Sequence, residues 1–234
     1  KEYSNLIKIN YLKKGKNLIE IGSNDGTFLS NFNNNKINTL GVEPSSNVAK
    51  IAKKKGIRTT NSFFTYETAK KFKKLKKKTD IICAANVICH VPNLPNLIRG
   101  INHLLNNKGL FIFEEPYLGS MYEKTSYDQI YDEHIFMFSV SSIKKIFKLF
   151  DFDLINVIPQ KTHGGSMRYV IGRSGSHRIN NNVGKYLRLE KKKKKKTKKR
   201  RKKIKKKREK NKKKIKKKKK NICYRNNRRK KKKK

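Results

Sequence analysis

In QIYDEHIFMF, residues 129–138, a tyrosine, two acids and a histidine stand together directly before an apolar run. These residue types suit proton transfer. An imidazole with a pKa of about 6.5 is able to be neutral near pH 7 and still accept a proton. His134 is therefore the candidate general base. A carboxylate beside it, Glu133, can orient the ring or stabilise its charged form, and either His90 or the Tyr131 hydroxyl can hydrogen-bond a developing oxyanion. The IFMF run would pin the loop into the core. The blander alternative makes His134 a hydrogen-bonded anchor of its own loop. Asp132 is expected to face solvent.

A second cluster lies near the start of the chain. EIGSNDG, residues 20–26, sits where an apolar run turns into a helix-like stretch. Gly22 permits a tight turn, and Gly26 lets a helix pack close to the strand. Between them the backbone of Ser23, Asn24 and Asp25 can come near a ligand. The pattern is not G-x-G-x-x-G, because Asn24 replaces the middle glycine, so a dinucleotide pyrophosphate is disfavoured. Glu20 opens the motif with a carboxylate. Glu43 ends the next strand about 20 residues on, the position that holds ribose hydroxyls in nucleotide folds. A carboxylate accepts both protons of a vicinal diol, which explains an acid there. Pro44 and Ser45 follow it, and Asn86 ends the fourth strand; all three join the candidate ligand-binding set. The alternative reading leaves the glycines as a plain turn and Glu43 as a helix cap.

Both clusters need a scaffold. Apolar runs at 17–26, 37–45, 57–64, 80–87 and 110–116 read as strands. Helical patterns at 45–56, 66–78 and 93–109 alternate with them, and a Ser-capped helix follows at 139–152. Strand–helix alternation with short connections predicts an α/β fold: a Rossmann-like, doubly wound, mostly parallel sheet. Two last strands, near 154–158 and 168–172, have no helix between them and can pair antiparallel at the edge. Ligands in such sheets sit at the carboxyl ends of the strands. Both clusters fall there.

IEIGSNDGTFLSNF, GVEPSSNVAKIA, ANVICHVPNL, FEEPYLGSMYEKTSYDQIYDEH and THGGSMRYV together resemble the class I S-adenosylmethionine-dependent methyltransferases that methylate a carbon of deoxysugar nucleotides. The likeness runs from about 17 to about 175. It implies S-adenosylmethionine as cofactor, with the acid of the first strand near the cationic methionine part. It implies a nucleotide-linked keto-sugar as the small-molecule substrate. It makes His134 the base that takes a proton from the carbon next to the ketone, and it places a second active-site histidine at His90, after strand four. His90 as a cap of the next segment is the alternative. His163 can contact substrate or serve only its Gly-Gly turn; His103 is expected to be structural. Members of that family usually carry a zinc module before this domain and a further α/β domain after it. This chain begins at Lys1 without either pattern, and reads as a fragment.

Composition divides the chain. Residues 190–234 hold 33 of the 63 Lys and Arg but only 2 of the 16 acids. A segment so charged and so poor in apolar groups cannot offset its ordering entropy, so 176–234 is expected to be a disordered basic tail after a methyltransferase domain at 1–175. The tail suggests nonspecific polyanion binding, with RNA binding or nucleic-acid methylation as the alternative function. Against that stands the near absence of aromatic residues for stacking. Its Lys, Asn and Ile also match adenine/thymine-rich codons, as a frame error would. The three cysteines, Cys83, Cys89 and Cys223, show no metal-ligand spacing, so no metal is expected. A reducing, cytoplasmic setting fits, and no apolar run is long enough to span a membrane.

Overall fold

The computed structural model describes residues 2–12, 16–32, 37–72, 78–126 and 129–231. Seven strands form a single sheet: β1 (Asn17–Ile21), β2 (Asn38–Val42), β3 (Thr59–Thr60), β4 (Thr79–Ala85), β5 (Leu105–Pro116), β6 (Phe152–Gln160) and β7 (Ser166–Arg173), in the order β3-β2-β1-β4-β5-β7-β6. The first five run parallel. β7 lies antiparallel against β5, and β6 antiparallel against β7. The expected antiparallel edge is present.

Side chains alternate between the two faces of the sheet, so both faces must be covered. Ile19, Ile82, Phe111 and Phe113 enter one core. α5 (Leu94–Leu104) and α7 (Val140–Lys148) cover it with Leu97, Ile101, Ile143 and Phe147. Leu18, Ile81, Cys83 and Ile112 enter the other core. There α1 (Glu2–Asn10), α2 (Thr27–Ser30) and α3 (Ser46–Lys54) bring Ile7, Leu29 and Ala52. α1 was not expected from the sequence, and the Tyr3 hydroxyl fastens it by donating to the Ile112 carbonyl at 2.7 Å. α6 (Leu118–Lys124) was likewise unexpected.

Caps explain several boundaries. Ser139 accepts from the Ser142 N–H at 3.1 Å in a reciprocal capping box at the start of α7. Thr65 does the same for α4 (Tyr66–Lys71), whose expected continuation over 73–77 lies outside the described residues. Ser45 precedes α3 as expected but makes no side-chain cap bond. α5 ends earlier than the expected 109, because Leu105 is taken by β5, where it pairs with Thr79.

The chain divides into two units, 1–187 and 188–234. The boundary falls after the expected 175, because Val183, Tyr186 and Leu187 pack with the first core. Those residues open α8 (Asn181–Lys231), a continuous helix over the segment whose composition predicts disorder. Lys and Arg are good helix formers, so local propensity permits this. Its described side chains from 191 to 209 are exposed or half-exposed, so no core holds that segment, as the composition of a disordered tail implies.

Candidate active site

The loops after β1, β2, β3 and β4 converge on a cavity of about 590 Å³. Gly22, Asn24, Glu43, Pro44, Asn86 and His90 line it. The β1 loop reverses through Gly22 (φ 68°), Asn24 (φ 49°) and Gly26 (φ 78°). A β-carbon on Gly22 would lie 2.4 Å from Val87 Cγ2, so the tight turn is also a close packing point. Gly26 packs against Ile57, just beyond α3, rather than against a strand. Asn tolerates the left-handed region, which is why it can stand at position 24.

Glu43 ties this loop to its neighbour. Its Oε2 accepts from the Asn24 N–H at 2.9 Å, and its Oε1 from the Ser45 N–H at 2.8 Å. Each oxygen keeps a further lone pair for a ligand hydroxyl. Glu20 is buried in β1, and its Oε2 has no protein hydrogen-bond partner. Burial raises its pKa well above the usual carboxylate range, and the charges of Asp25 and Glu43 add to that. A cationic ligand group beside Glu20 would relieve all three effects. Asp25 has other work: hydrogen bonds from Lys55 and Thr27 hold its pKa down to about 2. Asp25, like Glu20, Ser23, Gly26 and Ser45, is not among the cavity's lining residues.

The second cluster stands beside His90. The His134 Nδ1 lies 2.7 Å from the Gln129 carbonyl oxygen, and its Nε2 lies 2.8 Å from the Tyr131 hydroxyl. A carbonyl only accepts, so the proton sits on Nδ1, and Nε2 presents its lone pair to the Tyr131 O–H. His90 Nδ1 likewise gives its proton to the Glu133 carbonyl at 2.7 Å. The two imidazoles lie 4.9 Å apart between centroids. Glu133 thus contributes its backbone, and its side chain is exposed. The orienting role expected of its carboxylate belongs instead to the Gln129 carbonyl. Of the IFMF run, Phe138 is buried and Phe136 is packed on the core, whereas Ile135 is half exposed. His163 lies in a single 3-10 turn at 162–164.

Two features escaped sequence reading. Phe63, 74% exposed, and Phe64 line the cavity from the loop after β3. Glu115, at the end of β5, is fully buried. Its Oε1 accepts from the Val87 N–H at 3.0 Å and the Ile88 N–H at 2.6 Å, so it holds the turn that carries His90. Burial raises its pKa against hydrogen bonds from Cys89, Ile88 and Val87. The doubled acid of FEEP was its only trace in the sequence.

The strand order, with its antiparallel β7 inserted beside β5, and the acid–glycine turn facing a second acid define the class I S-adenosylmethionine-dependent methyltransferase fold. Residues 2–157 match the methyltransferase domain family, and the chain belongs to it. It is 27% identical over 181 residues to the C-methyltransferase NovU of Streptomyces niveus, covering 77% of this chain and 43% of that protein. The chain therefore spans less than half the length of that relative. Its fold is similar to magnesium protoporphyrin IX methyltransferase from Synechocystis PCC 6803, solved with bound S-adenosylhomocysteine: TM-score 0.54, 17% identity, 74% of this chain and 81% of that one. An S-adenosylmethionine-dependent methyltransferase from Geobacter sulfurreducens, in complex with S-adenosylhomocysteine, gives TM-score 0.52 at 10% identity, covering 74% and 89%. No helix among the described residues is long and apolar enough to cross a membrane.

Proposed function

We propose that this domain binds S-adenosylmethionine in the cavity and directs its methyl group to a carbon of a nucleotide-linked keto-sugar, with His134 as general base. The cofactor would supply an electrophilic methyl on a sulfonium. The chain's own residues supply the rest. Glu43 accepts hydroxyl protons, buried Glu20 lies behind the cavity lining as the carboxylate that draws the cationic end, and Phe63 offers an aromatic face to the adenine. The orphaned Glu20 oxygen and the cavity lining fit that ligand.

Carbon is a poor nucleophile until it loses a proton. The observation that carries the reading is the 2.7 Å contact between His134 Nδ1 and the Gln129 carbonyl: a neutral ring places its proton there, and Nε2 is then the nitrogen able to take the substrate's. The substrate C–H would replace the Tyr131 hydroxyl at Nε2. That hydroxyl is then free to donate to the enolate oxygen. A neutral His90 cannot do so, because its one N–H is given to the Glu133 carbonyl. Tyr131 is therefore the enolate donor of the two.

The test is proton exchange. Incubated in D2O with a nucleotide-linked keto-sugar and S-adenosylhomocysteine, the chain should wash deuterium into the carbon beside the ketone, read by NMR. His134→Ala should abolish the exchange and keep S-adenosylhomocysteine affinity by calorimetry. Exchange that survives in the variant removes His134 as base, and absence of binding by the wild type removes the cofactor assignment.

A further inference from the structure

We propose that Cys89, His90 and His134 form a Zn2+ site beside the cofactor cavity. One ligand atom from each lies within 4.8 Å of the others, with Cys89 buried and both imidazoles half-buried. The ligands come from two loops, the turn after β4 and the 129–138 loop. A bond from the Phe136 N–H to the Cys89 carbonyl at 3.2 Å fastens those loops together.

Two observations beyond proximity point to a metal. Each ring gives its Nδ1–H to a backbone carbonyl at 2.7 Å, which leaves Nε2 unprotonated on both. That outer partner is what orients a metal-ligating histidine and raises its basicity. Second, one thiolate and two imidazoles suit zinc, with a fourth position left for water or another ligand. Zinc at its usual bond lengths sets N and S ligands about 3.5 Å apart, so atoms that lie within 4.8 Å need to draw in by about 1.3 Å at most. As the Zn–S bond forms, the Cys89 thiol proton leaves to the buffer. The Tyr131 hydroxyl yields His134 Nε2 to the metal. Glu115, which accepts a hydrogen bond from Cys89, stands behind the sulfur.

Binding needs these three ligands and nothing of the acceptor chemistry. That the metal would block proton abstraction does rest on His134 being the base. The experiment titrates the full chain with Co2+ and then Zn2+, in a buffer that does not bind metals. A single equivalent of Co2+ should give sulfur-to-cobalt charge-transfer absorption and the d–d bands of a tetrahedral site, and Zn2+ should bleach both. Cys89→Ala should abolish the charge-transfer band. His134→Ala should weaken Zn2+ affinity at least about tenfold. Cys223→Ser should change neither, and circular dichroism checks that each variant is folded. Absence of the band in the wild type overturns the site. So does a band that survives Cys89→Ala and vanishes in Cys223→Ser. Failure of the deuterium exchange with the band intact would remove the base and leave the metal site standing.

Discussion

Glu20 is a carboxylate that the fold keeps from water without giving both its oxygens a protein partner. Its raised pKa has a defined consequence for stability. The folded state holds the proton to higher pH than the unfolded chain, whose Glu titrates near pH 4.3. Stability from this group is therefore fully present below that value and is lost as pH rises through the folded pKa. Glu20→Gln mimics the protonated form. It should match the wild type near pH 4 and melt about 2–4 °C higher at pH 8, while binding S-adenosylhomocysteine about tenfold more weakly. An equal gap in melting temperature at both pH values would show that burial of the charge is not the cause. The same residue shows what spacing reveals. Glu20, Gly22 and Glu43 were legible because each sits at a fixed offset from a strand end. Glu115 was not, because its role depends on backbone N–H groups of a turn nearly 30 residues earlier.

Among the elements, β7 is held to β5 by more than its ladder. Arg168 donates to Glu114 Oε2 at 2.8 Å with both side chains nearly buried, and the Thr162 hydroxyl donates to Oε1 at 2.8 Å. The guanidinium also lies 4.4 Å from the Tyr3 ring centroid, so α1 shares the same anchor. Removing one partner strands a buried charge. Arg168→Met should cost about 3 kcal/mol in urea unfolding, and Glu114→Gln added to it should recover most of that loss. A double variant no more stable than the single one would mean that the pair acts through packing alone. This anchor explains THGGSMR as a strap between elements. The strands that carry it were legible from their apolar runs. α1 was not, because its nine residues are short for a helical pattern and its burial depends on what the sheet offers.

At the scale of the whole molecule, the two units differ in what holds them. The first has a core on each face of its sheet. Residues 190–234 carry 33 bases against 2 acids, and a segment of that composition would meet polyanions through charge alone. Deleting 188–234 should leave S-adenosylhomocysteine affinity unchanged and remove RNA binding. With the tail present, RNA affinity should fall by about 10³-fold or more between 50 and 200 mM salt, as expected for six or more phosphate contacts. Sequence-selective RNA binding that outlasts the deletion would assign nucleic-acid recognition to the folded domain.

The sequence by itself determined the sheet, its antiparallel edge and the cofactor end, because hydrophobic period and strand-end residues are local signals. It also placed His134 in a loop able to reach that end. Only the tertiary structure decided which groups His134 meets there. Its tautomer is set by the Gln129 carbonyl, its Nε2 faces Tyr131, and His90 and Cys89 arrive from another loop. Cysteine spacing counts positions along one chain segment, so it does not register that Cys89, His90 and His134 come together. Ligands gathered from two loops have no spacing to count, and hydrogen-bond partners become neighbours only when the chain folds.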